Sequence, residues 1–227
     1  MRFGIFVLLI VLFPATTLAG AWPRAQGDWF VGLSYTARGD TTSLGTPAFA
    51  LSGSGSLYME YGATAKLTFG LDATRADTGD FSALAFARYP VVTGLVPGKL
   101  AVRGGIGMHD TAGGTERFVQ LGAHWGKGME TAYGPGWLSL DTQLDYRLTT
   151  GDTVAKADLT VGVKPNDRTK LMLQLQSGSY PGADAYLRIA PSVARKTGDR
   201  QHVVLGVELD LIGGSDVGLT LGTWLAF

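Results

Sequence analysis

The chain has 227 residues, with 19 basic and 19 acidic side chains, so its formal net charge is zero. That balance argues against a nucleic-acid partner or a generally basic membrane-surface role. Cysteine is absent, which excludes a disulfide framework and thiolate chemistry, while 33 glycines and only 17% charged residues suit an exported β protein of one domain.

The first segment reads as a secretory signal peptide over residues 1–21. Arg2 is followed by the apolar run Ile5 to Phe13, then Thr16-Thr17-Leu18 and the small residues Ala19-Gly20-Ala21. The run is shorter than the roughly 20 residues that a membrane-spanning helix needs. Cleavage is expected after Ala19 or Ala21, leaving residues 22–227 as a single barrel domain. No Cys stands at the cleavage site to carry a lipid.

From Trp29 onward, stretches of eight to eleven residues alternate apolar and polar side chains, with turn residues between them. This is the signature of transmembrane barrel strands. Strands are predicted near 28–37, 54–62, 66–75, 80–89, 99–109, 117–126, 137–148, 154–164, 169–177, 185–195, 201–211 and 217–227. The count is about twelve, with ten or fourteen as alternatives. Turn residues such as Asp77-Thr78-Gly79, Lys164-Pro165-Asn166-Asp167 and Gly213-Gly214-Ser215 mark the connections. An even count puts both termini on one side, the periplasm. The longest connector, Arg38 to Gly53, and the Ser177 to Asp184 loop then face outward. Gly53-Ser54-Gly55-Ser56 reads as a flexible outer loop, since it does not lie between a strand and a helix as a phosphate cradle would.

The clearest alternation lies in the second half. Leu138, Leu140, Leu144, Tyr146 and Leu148 alternate with Ser139, Asp141, Gln143, Asp145 and Arg147. Val203, Leu205, Val207, Leu209 and Leu211 alternate with His202, Gly206, Glu208 and Asp210. At helical spacing Leu138, Asp141, Asp145 and Leu148 would form a face of no coherent character, so period two prevails. The fourth strand is ambiguous, because Leu84 and Phe86 compete with Ala83, Ala85 and Ala87 for the outward face. Trp29, Tyr61, Trp125 and Phe227 at one end of the outward rows, with Tyr35 and Tyr146 at the other, match the aromatic girdles of membrane barrels.

In the last eleven residues Phe227, Leu225, Leu221, Leu219 and Val217 share one face, and Thr223 is its only polar member. This segment resembles the closing strand of bacterial outer-membrane barrels. The resemblance implies that Phe227, Leu225 and Leu221 belong to a signal read by the barrel assembly machinery. The segment Tyr58-Met59-Glu60-Tyr61-Gly62-Ala63-Thr64-Ala65-Lys66-Leu67-Thr68-Phe69-Gly70 resembles a hairpin common in proteobacterial outer-membrane barrels. The group annotated after the meta-pathway of phenol degradation is among them, and Ala190-Pro191-Ser192-Val193 is a weaker echo of it. The resemblance implies an all-β, antiparallel up-and-down barrel in the bacterial outer membrane, among lipids and lipopolysaccharide. A role in passing small solutes, including hydrophobic ones, is implied with it.

Inward positions then include Tyr58, Glu60, Asp72, Arg103, His109, Gln120, His124, Asp141, Gln143, Asp145, Arg147, Lys156, Asp158, Gln174, Gln176, Arg188, Glu208 and Asp210. A basic residue on the lipid face would cost roughly 2–4 kcal/mol near the midplane, so charges belong inside. Their signs nearly balance. The expected function is a channel or transporter for a small molecule through this charged lumen. A closed structural or envelope-interaction barrel, with the charges paired across the lumen, is the alternative. Twelve strands lie between the filled and the open sizes.

An outer-membrane lipase or deacylase is the remaining reading. Ser82 and His109 are expected as cross-strand neighbours at the outer rim, with Asp110 or Asp80 to orient the ring. The spacing of His109, His124 and His202 predicts no metal site, and nothing in the sequence calls for a cofactor. Acidic residues in the outer loops, such as Asp77, Asp110 and Asp184, read as solvated charge.

Overall fold

The structure is a computed structural model and describes residues 20–46, 49–92, 94 and 96–227. Most of the predicted signal peptide, residues 1–19, lies outside the described residues. Twelve strands run in order: β1 Trp29–Asp40, β2 Leu51–Gly62, β3 Thr68–Ala76, β4 Phe81–Val91, β5 Lys99–Thr111, β6 Gly114–Thr131, β7 Gly134–Arg147, β8 Thr153–Asn166, β9 Thr169–Ser179, β10 Tyr186–Gly198, β11 Gln201–Ile212 and β12 Asp216–Ala226. Each pairs antiparallel with its sequence neighbour, and β1 pairs with β12 to close the barrel. Trp29 and Phe227 exchange backbone hydrogen bonds at that seam, at 2.6 and 3.1 Å. Closure leaves no strand edge unpaired, which hydrocarbon requires.

Two segments differ from the sequence expectation. Gly53-Ser54-Gly55-Ser56 is part of β2, not an outer loop. Its Ser-Gly alternation is still period two, with Ser56 Oγ hydrogen-bonded inside to Ser34 Oγ at 2.7 Å. The β6–β7 hairpin extends well past the predicted ends at 126 and 137, pairing through to Thr131 and Gly134. Gly126, Gly128, Gly134 and Gly136 blur the alternation there without breaking the ladder.

The outward rows form an apolar belt. Leu121 is 70% and Ile106 69% exposed, and Leu33, Leu144, Leu205, Leu219 and Leu221 are similarly bare. Apolar surface encircling a barrel in this way belongs in lipid, because water-soluble monomers rarely carry contiguous patches above a few hundred Å². The outward arginines Arg75, Arg117 and Arg195 lie toward strand ends. Aromatic side chains stand at both rims. Trp29 packs on Tyr61 (ring centroids 4.7 Å apart) and Trp125 Nε1 donates to Pro97 O at 2.9 Å, while Tyr35 and Tyr146 are exposed at the other rim. The structure resolves β4: Leu84 and Phe86 are buried inside the barrel, and the alanines line the outside.

Candidate functional site

The barrel interior is divided. On the β2–β6 side it is filled. Leu84, Phe86 and Phe118 form a buried apolar cluster with Tyr58 packed against it, its ring 5.9 Å from that of Phe86. Burying such side chains contributes roughly 1.5–3 kcal/mol each. Small alternating residues make room for the rings. A Cβ on Gly70 or Gly107 would sit 2.1 or 2.3 Å from the Phe86 or Phe118 ring.

Around that cluster most charges are paired, although Arg88 Nε, Arg103 Nε and Arg147 Nε are buried without a hydrogen-bond partner. Glu60 is 2% exposed, yet its carboxylate accepts from Arg24 Nε, Arg88 Nη1 and the Tyr58 hydroxyl, all at 2.5 Å. Arg103 stacks over Phe86 at 5.0 Å and donates to Gln143 Oε1 at 2.6 Å. Gln120 Nε2 donates to Asp145 Oδ1 at 2.7 Å, and His124 Nδ1 lies 2.6 Å from Asp141 Oδ1. Asp72 sits opposite Tyr58 and Leu84, and Arg147 opposite Phe118. A buried ion pair of this kind is costly to break, because one partner's loss strands the other charge.

The β8–β12 side is hollow. A cavity of about 200 Å³ is lined by Trp137, Ser139, Asp141, Thr160, Met172, Gln174, Ser192 and Trp224. A second, of about 190 Å³, shares Gln174, Ser192 and Trp224 and adds Ser34, Gln176, Thr220 and Glu208. Hydroxyl and amide groups share this wall with Trp137, Met172 and Trp224. They arise where Ser, Thr and Gln occupy the inward positions of β8, β9, β10, β12 and β1, each strand's outer row being apolar.

Toward the extracellular rim this side becomes ionic and aromatic. Glu208 pairs with Arg38, and Arg188 bridges Asp210 (2.7 Å) and Glu208 (3.7 Å). Tyr180 stacks on Tyr186 at 6.2 Å, with Lys156 over the first ring and Arg188 over the second. Lys156 faces Gln143 across the β7–β8 pair, while Asp141 and Asp158 stand side by side as two carboxylates.

Arg24, Arg38 and Arg88 were not among the sequence candidates, although each is an ion-pair partner here. Arg38 lay just past the predicted end of its strand. Arg24 precedes the periodic region altogether.

Ser82 and His109 are direct cross-strand partners, as expected. The carboxylates expected to orient the ring are otherwise placed. Asp110 alternates to the outer face and accepts from Thr115 Oγ1 at 2.6 Å, and Asp80 accepts from Thr78 in the turn. The His109 ring instead stacks on Phe118 at 4.8 Å. Among the described residues, no three His, Asp or Glu side chains converge as a metal site would require.

No protein-family model matches the chain, and no curated protein does. Solved structures do resemble it. A NanC porin superposes with TM-score 0.61 at 12% identity, covering 86% of this chain and 98% of that one. The COG4313 outer membrane channel from Pseudomonas putida F1 gives 0.57 at 13% identity, covering 95% and 100%. A KdgM porin gives 0.56 at 8% identity, covering 86% and 99%. At such identities the likeness establishes the fold, a closed antiparallel β-barrel of the porin type and of comparable length.

Proposed function

We propose that this chain is an outer-membrane channel for a small polar solute, which travels along the hollow β8–β12 side of the lumen. The observation that carries this reading is the asymmetric interior: one half is packed like a protein core, and the other keeps two adjoining cavities with hydroxyl and amide groups in their walls beside Trp137, Met172 and Trp224. Such a wall exchanges hydrogen bonds with a hydrated solute at little net cost, whereas an apolar wall would leave the solute's polar groups unpaired. The ionic rim of Arg38, Arg188, Glu208 and Asp210, together with Lys156 and Asp158, would orient a charged or dipolar solute at the outer mouth.

A KdgM porin in complex with disordered oligogalacturonate is among the similar structures. It makes an oligosaccharide-like, polyhydroxylated solute the first class to test. The hairpin resemblance at Tyr58–Gly70 points instead to small apolar solutes, but the open wall is the polar one.

Passage through the lumen also requires assembly in the membrane. A leader ending at Ala19 or Ala21 would export the chain. Assembly machinery would read Leu221, Leu225 and Phe227 on the last strand, and lipopolysaccharide would meet the outward belt.

Planar-bilayer recording tests the reading. Discrete current steps, blocked by an added oligosaccharide, are expected. A folded, heat-modifiable barrel that stays electrically silent would favour the closed structural barrel, for which the satisfied charges around Glu60 speak.

A further inference from the structure

The residues before β1 do not lead away from the barrel. At Asp28 the chain turns inward: Gly27 N donates to Gly62 O at 2.8 Å and Gly62 N to Asp28 O at 3.0 Å. From there it runs backwards across the periplasmic mouth. Arg24 N donates to Thr68 Oγ1 at 3.2 Å, and Arg88 Nη2 to Trp22 O at 3.3 Å. On the far wall Trp22 and Ala21 lie on Gly126, where a Cβ would stand 2.2 Å from the indole, and Gly20 abuts His124 and Asp141. The segment thus reaches from β2 and β3 to β6 and β7, which are well separated in a ring of twelve. It is seated rather than draped, since Arg24 is only 6% exposed.

We propose that Trp22–Asp28, which is retained whether the leader ends at Ala19 or Ala21, is a tethered plug that gates the periplasmic mouth, with Arg24 as the built-in ligand of an internal guanidinium site. The guanidinium meets the Glu60 carboxylate and the face of Phe30, 4.5 Å away, while the Thr68 hydroxyl accepts from the Arg24 backbone N–H. A carboxylate and an aromatic face are the two surfaces a guanidinium prefers. Arg24 also lines a small cavity on the hollow side. That cavity, of about 40 Å³ and bounded also by Phe30, Lys170, His202 and Trp224, shares Trp224 with the two larger ones. Withdrawal of the plug would remove this wall and open the small cavity toward the larger two. The gate rests on the channel reading; the seating of the plug does not.

The test pairs a current with a label, using protein purified from outer membranes. Thr68→Cys places a thiol beneath Arg24 in a chain that has no cysteine of its own. A water-soluble maleimide should label it slowly, and at least tenfold faster when Arg24→Ala is added. Gly62→Ala expels the plug without touching the ionic cluster, because its Cβ would stand 1.9 Å from the Ala25 carbonyl oxygen. It should speed labelling likewise. Both variants should raise single-channel conductance or open time several-fold, and millimolar arginine on the periplasmic side should restore the block in Arg24→Ala. Labelling that ignores both changes overturns the plug. Labelling that responds while wild type and variants conduct equally overturns the gate and leaves the channel reading standing. Labelling that responds while all forms are silent overturns the channel reading and the gate with it.

Discussion

The two sides of the lumen use the same backbone for opposite ends. On β2–β6 the inward row carries Tyr58, Glu60, Leu84, Phe86, Arg88, Arg103 and Phe118, and the space between them is filled. On β8–β12 it carries Thr160, Gln174, Gln176, Ser192 and Thr220, and the space is left open. Strand number and closure are common to both, so side-chain volume alone decides where a twelve-stranded barrel is solid and where it is hollow. One half braces the cylinder, and the channel reading assigns conduction to the other.

If that division is right, stability and conduction should be separable by mutation. The largest effect is expected at the centre of the solid side. Glu60→Ala would leave Arg24 and Arg88 as uncompensated buried charges and cost about 3–5 kcal/mol. The loss should appear as a lower unfolding midpoint in urea or a lower temperature for the heat-modifiable gel shift. Phe86→Ala should cost a comparable ~3–5 kcal/mol by opening a cavity in the aromatic cluster, and less if Tyr58 and Arg103 relax into it.

On the outer wall, Leu221→Arg, midway along β12, should cost roughly 2–4 kcal/mol in a bilayer. It would not alter the solute path. A change on the hollow side should do the reverse. Ser192→Trp should cut conductance several-fold with an unfolding midpoint within about 0.5 kcal/mol of wild type, as for a substitution that breaks no buried feature. The smallest effect is expected at the rim. Glu208→Gln frees Arg38 and Arg188 from a carboxylate and should shift reversal potential toward anions, most visibly at low salt.

Much of the barrel could be read from the sequence, because alternation reports the pleat directly. β7 and β11 show why, with leucines and valines on one row and Asp, Gln or Glu on the other. β4 shows the limit. Period two separates two faces but does not say which meets lipid, and a lumen partly packed with Leu84 and Phe86 looks like an outer wall. Gly53–Ser56 departs from expectation for a related reason: glycine and serine read as loop, although their alternation continues β2.

The charged inward positions were legible one at a time, but their partners were not. Register and barrel closure bring Arg38 of β1 to Glu208 of β11, a contact 170 residues apart in sequence. Arg24 was hidden more deeply. It lies in the short stretch between a predicted leader and the first strand, where no periodicity marks it.

The most direct test of the account is water access to the two sides in the intact membrane, because a cysteine-free chain makes single reporters clean. Ser192→Cys and Leu84→Cys would each be exposed to a charged, water-soluble thiosulfonate and read by mass shift. Fast modification at Ser192 with Leu84 protected is the expected result. Equal rates at both positions, or protection at both, would contradict a lumen with one solid and one open side.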